Sequence, residues 1–168
     1  HGPLPNGWTP WNCCAAPGLK VIPMLSKDFK EFVALLNGNG VEYLVVGGYA
    51  MAFHGRPRHT GDLDIWVRPN TGNAARLMDC LRQFGFGSLG LDSHDFVEEN
   101  QVVQLGYPPF RIDLITGIDG VDFDAAWPNR EIVTHDGLPI NFIGLADLKT
   151  NKRASDRPRD LDDLNNLP

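Results

Sequence analysis

The sequence predicts a mixed α/β domain in which helices pack against a small mixed β-sheet, and three observations support this fold class. Apolar residues recur at helical spacing over 26–37 and 71–84. Segments 41–46 and 62–67 are short and rich in β-branched residues, as is typical of buried strands. The two kinds of pattern alternate along the chain, which indicates helices against a sheet.

The individual elements follow from local signals. Ser26 is a suitable N-cap for the first helix, and Asn37-Gly38-Asn39-Gly40 ends it. The strand over 41–46 ends at Gly47-Gly48, and residues 49–54 are interpreted as a short helix. The remaining predicted elements are a hairpin, two short strands and two C-terminal helices, over 101–105 and 110–115, 131–134 and 138–143, and 145–154 and 158–167.

The length and the distribution of prolines predict the domain organisation. A chain of 168 residues suits one domain with a short appendage. Residues 1–23 contain five prolines and two tryptophans, and we expect an irregular N-terminal extension there. The core is predicted over 24–144, followed by a C-terminal helical segment over 145–168.

Charge and cysteine content narrow the function classes. The net charge of -6 and the pI of about 5.2 argue against wide contact with a phosphate backbone, although an enzyme can still touch RNA locally. No apolar run reaches the roughly 18 residues that a membrane span needs. The three cysteines are odd in number and lack zinc-site spacing, so we expect reduced thiols and a cytoplasmic location.

Three acids carry the chemical hypothesis. Asp62 and Asp64 lie two apart on one predicted strand, so their side chains leave the same face about 6–7 Å apart at Cα. Two ionised carboxylates held so close repel each other, and a divalent cation such as Mg²⁺ or Mn²⁺ would remove the repulsion. Asp113 would join the pair if its strand lay beside theirs. A lone D-x-D tripeptide is more typical of a solvated strand end, so the context matters.

That context includes the glycine pair upstream. Gly47 and Gly48 follow a buried strand and open a short helix, where backbone N–H groups could hold an anion. A tight packing turn explains the pair equally well.

Taken together, these motifs resemble a known family. Gly47-Gly48, thirteen residues and then Asp62-Leu63-Asp64-Ile65 resembles the signature of the DNA polymerase β nucleotidyltransferase superfamily. The stretch GGYAMAFHGRPRHTGDLDIWV is more similar to small bacterial AbiEii-like nucleotidyltransferases, a group that includes toxins of toxin–antitoxin systems. The C-terminal LADLKTNKRASDRPRDLDDL is also similar to that group, so the resemblance covers about half of the chain.

The resemblance implies a nucleotidyltransferase fold with C-terminal helices and a magnesium- or manganese-dependent enzyme. Such an enzyme moves a nucleoside monophosphate from a nucleoside triphosphate, ATP among the candidates, to a hydroxyl, releasing pyrophosphate. Asp62, Asp64 and Asp113 would bind the metals, and Asp113 would also orient the acceptor hydroxyl. Gly47 and Gly48 would hold the triphosphate.

Three further residues would complete the nucleotide site according to the same resemblance, namely Arg58, His54 and Lys149. Each has a plainer interpretation, as a surface arginine, a structural histidine and a solvated lysine respectively.

The acceptor and the partners stay open at this point. The acceptor could be a protein side chain, an RNA 3′ end or a small molecule such as an antibiotic. A cognate toxin or antitoxin protein, or an RNA, is the partner that the resemblance implies, and no membrane is expected. Two rival hypotheses are a catalytically silent regulatory module that binds nucleotide or a partner, and a structural domain with coincidental acids.

Overall fold

A computed structural model describes residues 25–56, 61–107 and 109–168, so the extension predicted over 1–23 lies outside the described residues. The described strands are β1 Tyr43–Val46, β2 Asp62–Val67, β3 Val102–Leu105, β4 Arg111–Ile115, β5 Glu131–His135 and β6 Leu138–Phe142. The α-helices are α1 Lys27–Gly38, α2 Gly47–Phe53, α3 Thr71–Gln83, α4 Phe123–Ala126, α5 Leu145–Ser155 and α6 Pro158–Asn165. None of the helices in these ranges is long and apolar enough to cross a bilayer.

The strands form one mixed sheet in the order β3-β4-β2-β1-β6-β5. Hairpins join β3 to β4 and β5 to β6, and β1 runs antiparallel to β2. Two parallel pairings, β2 with β4 and β1 with β6, lie further inside the sheet. The predicted fold class is therefore confirmed, and the parallel β2–β4 pairing is the feature that positions the site.

The core lies where apolar positions recur at the expected period. Leu63, Ile65 and Val67 alternate along β2 and are all fully buried. Helix α1 buries an apolar stripe that includes Phe29, Phe32, Val33 and Leu36. The ring of Phe32 meets that of Phe84 in an edge contact that joins α1 to the end of α3.

Most predicted elements are present, with differences that have local causes. The strand over 62–67 is confirmed residue for residue. Helix α2 begins at Gly47, two residues earlier than predicted, because Gly47 has φ +67° and turns the chain directly out of β1. The short helix α4 was not among the predicted elements. In α3 the buried alanine is Ala74.

The C-terminal helix differs most from expectation. The segment over 157–163 alternates acidic and basic residues, a pattern typical of a solvated surface, but Asp160 and Asp163 of α6 are each only 2% exposed. Three residues apart, they share one face of α6, and both accept hydrogen bonds from Nζ of Lys152 in α5, at 3.2 and 3.1 Å. This buried ion-pair network docks α6 onto α5.

Candidate active site

The sheet register brings the three predicted acids together. Strands β2 and β4 are parallel neighbours, with Asp64 paired to Asp113 and Asp62 paired to Arg111. Because side chains at paired positions project from the same face of a sheet, the carboxylates of Asp62, Asp64 and Asp113 share one face. The strand neighbourhood on which the sequence hypothesis depended is therefore present, and Asp64 and Asp113 are close enough to share a hydrogen bond.

Gly47 is required by the position of Asp64. The last residue of β1, Val46, is paired with Asp64, so the turn into α2 lies directly beside that carboxylate. A Cβ atom on Gly47 would overlap Oδ2 of Asp64, and the positive φ also disfavours any side chain. Gly47 is partly exposed, whereas Gly48 is buried in the first turn of α2.

The negative charges of the three carboxylates repel one another. Burial raises the pKa of Asp64 from 3.8 to about 7, and the negative charges of Asp113 and Asp62 act in the same direction. Burial, and to a smaller extent the negative charge of Asp62, also raises the pKa of Tyr49 to about 12. The site therefore favours an added positive charge.

Arg111 supplies part of that charge, and the sequence analysis missed it. Its Nη2 donates to Oδ2 of Asp62 at 2.8 Å, and its Nε donates to Oδ1 of Asp113 at 2.9 Å. A second bond joins Nη2 to Oδ2 of Asp113 at 3.2 Å. The signal was available in the sequence, because Arg111 lies two residues before Asp113 and so occupies the same face of its strand.

A cleft of about 260 Å³ opens beside Asp64. Its walls include Gly47, the segment after β4 and, on α5 and just beyond it, Asn151, Lys152, Ser155 and Arg157. A larger depression of about 610 Å³ between α1 and α3 contains none of the three acids. The smaller cleft is the candidate site because it joins a carboxylate, the glycine turn and two basic side chains.

Lys149, one of the basic residues predicted to complete the site, does not lie in this cleft. Lys149 donates to the backbone carbonyl of Pro168, whereas Lys152 of the same helix lines the cleft. Leu148 is the one apolar residue of α5 that is buried. Lys152 follows it by four positions and therefore shares its buried face, whereas Lys149 does not.

His54 is placed in the core. Its ring is 1% exposed, with Nε2 2.7 Å from the carbonyl oxygen of Ile143 and Nδ1 3.6 Å from Oε2 of Glu131. These contacts give His54 a packing role, and its predicted nucleotide contact stays a prediction. Arg58 lies outside the described residues, so its predicted role stays a prediction.

The donor set suits a hard divalent cation, because carboxylate oxygens are the ligands that Mg²⁺ and Mn²⁺ prefer. Within 25–56, 61–107 and 109–168, however, no three His, Cys, Asp or Glu side chains converge on a metal-binding arrangement. Asp62 and Asp113 are instead joined through Arg111. The chemistry of the residues fits such an ion, and their present side-chain arrangement favours the guanidinium.

The fold has known counterparts among solved structures. The chain is similar to a putative nucleotidyltransferase from Thermotoga maritima, with a TM-score of 0.53 and 15% identity over 82% of this chain and 88% of that chain. It is also similar to an antigenic nucleotidyltransferase-like protein from Paracoccidioides brasiliensis, with a TM-score of 0.49 and 18% identity over 84% and 76% of the two chains. No protein-family model matches the sequence, and no curated protein is significantly similar to it. The Thermotoga likeness shows a shared fold, and any activity must be argued from the site.

Proposed function

We propose that this protein is a nucleotidyltransferase that moves a nucleoside monophosphate from a nucleoside triphosphate to a hydroxyl acceptor. The observation that carries the proposal is that Asp62, Asp64 and Asp113 lie on one face of two parallel strands, and that Asp64 lines a cleft together with Lys152. The fold shared with the Thermotoga protein supports the same reaction class.

In this proposal the three carboxylates hold Mg²⁺ or Mn²⁺. The bound cations supply charge neutralisation for the attacking and leaving oxygens of an in-line displacement. Gly47 leaves the backbone open to a phosphate, and Arg157, with a side chain 75% exposed, can reach that phosphate from the far wall. Asp113 would orient the acceptor hydroxyl and accept its proton, so that the oxygen attacks the α-phosphorus while the bond from that phosphorus to the bridging oxygen of pyrophosphate breaks.

The first test is nucleotide binding measured by thermal shift. ATP, GTP, CTP and UTP are each added with and without magnesium, because a ligand that binds only the folded state raises the melting temperature. We expect a magnesium-dependent shift that Asp64→Asn abolishes and that Asp28→Asn, an exposed acid of α1, retains. No shift with any nucleotide would contradict the proposal.

Turnover and the acceptor need a second experiment. Transfer of label from α-³²P nucleotides is measured with proteins, RNA 3′ ends and hydroxyl-bearing small molecules such as antibiotics, together with pyrophosphate release. Label on one class identifies the acceptor. A cognate toxin or antitoxin protein, and a cytoplasmic location, stay predictions that this experiment alone does not decide.

A catalytically silent binding module is the second candidate, and the position of Arg111 favours it. A guanidinium bonded to Asp62 and Asp113 could serve as a permanent substitute for a cation. Nucleotide binding that is independent of magnesium, with no pyrophosphate release for any acceptor class, would support this module and contradict turnover.

A further inference from the structure

Arg111 has an unusual combination of contacts for a structural arginine. It bonds to two acids on neighbouring strands, Asp62 and Asp113, at 2.8 and 2.9 Å. Its own side chain is 26% exposed, and that of Asp62 is 37% exposed. Water can therefore replace the bond to Asp62. The side chain of Asp113 is only 10% exposed, so its carboxylate needs another positive charge when the guanidinium leaves.

The neutralisation by Arg111 is also incomplete. Three carboxylates and one guanidinium leave a formal charge of minus two on this face, and none of the described hydrogen bonds joins Arg111 to Asp64. Asp64 is paired with Asp113 across the two strands and lies two residues from Asp62, so it adds a third carboxylate to the same face. The residual charge attracts a divalent cation, and the acids that would bind it are those that Arg111 contacts.

We infer that Arg111 is a displaceable counter-charge, which holds Asp62 and Asp113 together and must leave them when a divalent cation binds. This inference rests on the proposed function and deepens it. The guanidinium and the cation compete for the same carboxylate oxygens. The apparent cation affinity is therefore the intrinsic affinity multiplied by the fraction of molecules in which Arg111 has already left. When no cation is bound, the guanidinium reduces the cost in stability of holding the acids together.

The test compares Arg111→Gln with the wild type in magnesium titrations followed by calorimetry. Arg82→Gln is the matched control, because Arg82 forms an exposed ion pair with Asp79 on α3. We expect Arg111→Gln to bind Mg²⁺ at least about tenfold more tightly than the wild type, while Arg82→Gln is unchanged. Urea unfolding in EDTA should show Arg111→Gln to be less stable than the wild type, and saturating Mg²⁺ should reverse the deficit.

The outcomes separate this inference from the proposed function. Equal or weaker Mg²⁺ binding by a folded Arg111→Gln, with clear binding by the wild type, overturns the counter-charge and leaves the nucleotidyltransferase proposal standing. No Mg²⁺ binding by either protein overturns both. Binding by Arg111→Gln alone supports the counter-charge and indicates that Arg111 keeps the wild-type site closed.

A second measurement keeps the inference testable if Arg111→Gln does not fold. The Nε–H resonance of Arg111 in the wild-type protein is assigned by its loss in Arg111→Lys. We expect that resonance to shift during magnesium titration with the same midpoint as the calorimetric binding curve. A resonance that stays in place at saturating Mg²⁺ means that the guanidinium remains on the acids, and it overturns the inference.

Discussion

Replacing Asp64 by Asn should make the metal-free protein more stable at alkaline pH. Burial raises the pKa of Asp64 to about 7, and the charges of Asp113 and Asp62 add to the effect. The ionised carboxylate therefore destabilises the folded state. The substitution removes that charge and leaves the bonds of Arg111 to Asp62 and Asp113 intact.

The magnitude and its sign follow from proton linkage. Between a pKa of 3.8 in the unfolded chain and about 7 in the folded one, the folded state binds the extra proton, so stability falls as the pH rises through this window. At about 1.4 kcal/mol per pH unit, the full cost above pH 7 is at most about 4 kcal/mol. Asp64→Asn should recover about 2 to 4 kcal/mol at about pH 8.5, about 1 kcal/mol at about pH 4.5 and almost nothing at about pH 3.

The assay is urea unfolding in EDTA across this pH range, with the midpoint and slope fitted at each pH. Asp113→Asn is an informative companion, because it removes the same charge together with a partner of Arg111 and should gain less. A free-energy difference between Asp64→Asn and the wild type that does not change with pH, or a loss of stability at alkaline pH, would refute the reasoning.

Three further predictions concern the walls of the cleft. Gly47→Ala should cost about 1 to 3 kcal/mol in urea unfolding, because its Cβ overlaps Asp64 at a positive φ, whereas Gly38→Ala meets nothing within 4 Å and should be neutral or slightly stabilising. Lys152→Met should cost about 3 to 5 kcal/mol, because two buried carboxylates lose the hydrogen bonds from a buried cation, and Lys149→Met should change stability by less than about 0.5 kcal/mol in the same assay. Burial opposes ionisation of Asp160, but hydrogen bonds from Arg157 and Lys152 lower its pKa below 3.8, so this network should stabilise above that pH and weaken as the pH falls further. Amide hydrogen exchange of α6 at decreasing pH would check this last point, and protection that survives well below pH 3.8 would contradict it.

The acids were predictable because their signal is local. The alternation along Asp62–Val67 places Asp62 and Asp64 on one face whatever the rest of the fold does. The strand around Asp113 was also readable from the apolar residues on either side of it. Its position beside Asp64 depended on the sheet order, which a parallel pairing between distant segments fixes and no local pattern specifies.

The partners of the acids were harder to predict, because they depend on contacts between elements. Lys149 and Lys152 look alike in the sequence, and only the burial of Leu148 separates the two faces of α5. Lys152 is buried because Asp160 and Asp163 on the next helix neutralise its charge. The sequence did not reveal this pairing, because the alternating charges of 157–163 are also typical of a solvated surface. The surroundings of His54 were not predictable either, since a motif position does not reveal that the ring faces a backbone carbonyl in the core.

The cluster of acids and its surroundings show why stability and chemistry conflict at this site. A fold selected only for stability would not bury Asp64 between two like charges, or keep a glycine at position 47 so that the carboxylate can sit there. Arg111 reduces this cost without removing it, because it bonds to two acids and acts on Asp64 only through its charge. The protein retains an excess of negative charge beside a cleft, although other side chains could have removed it. Such an excess is expected at a site that binds a cationic ligand.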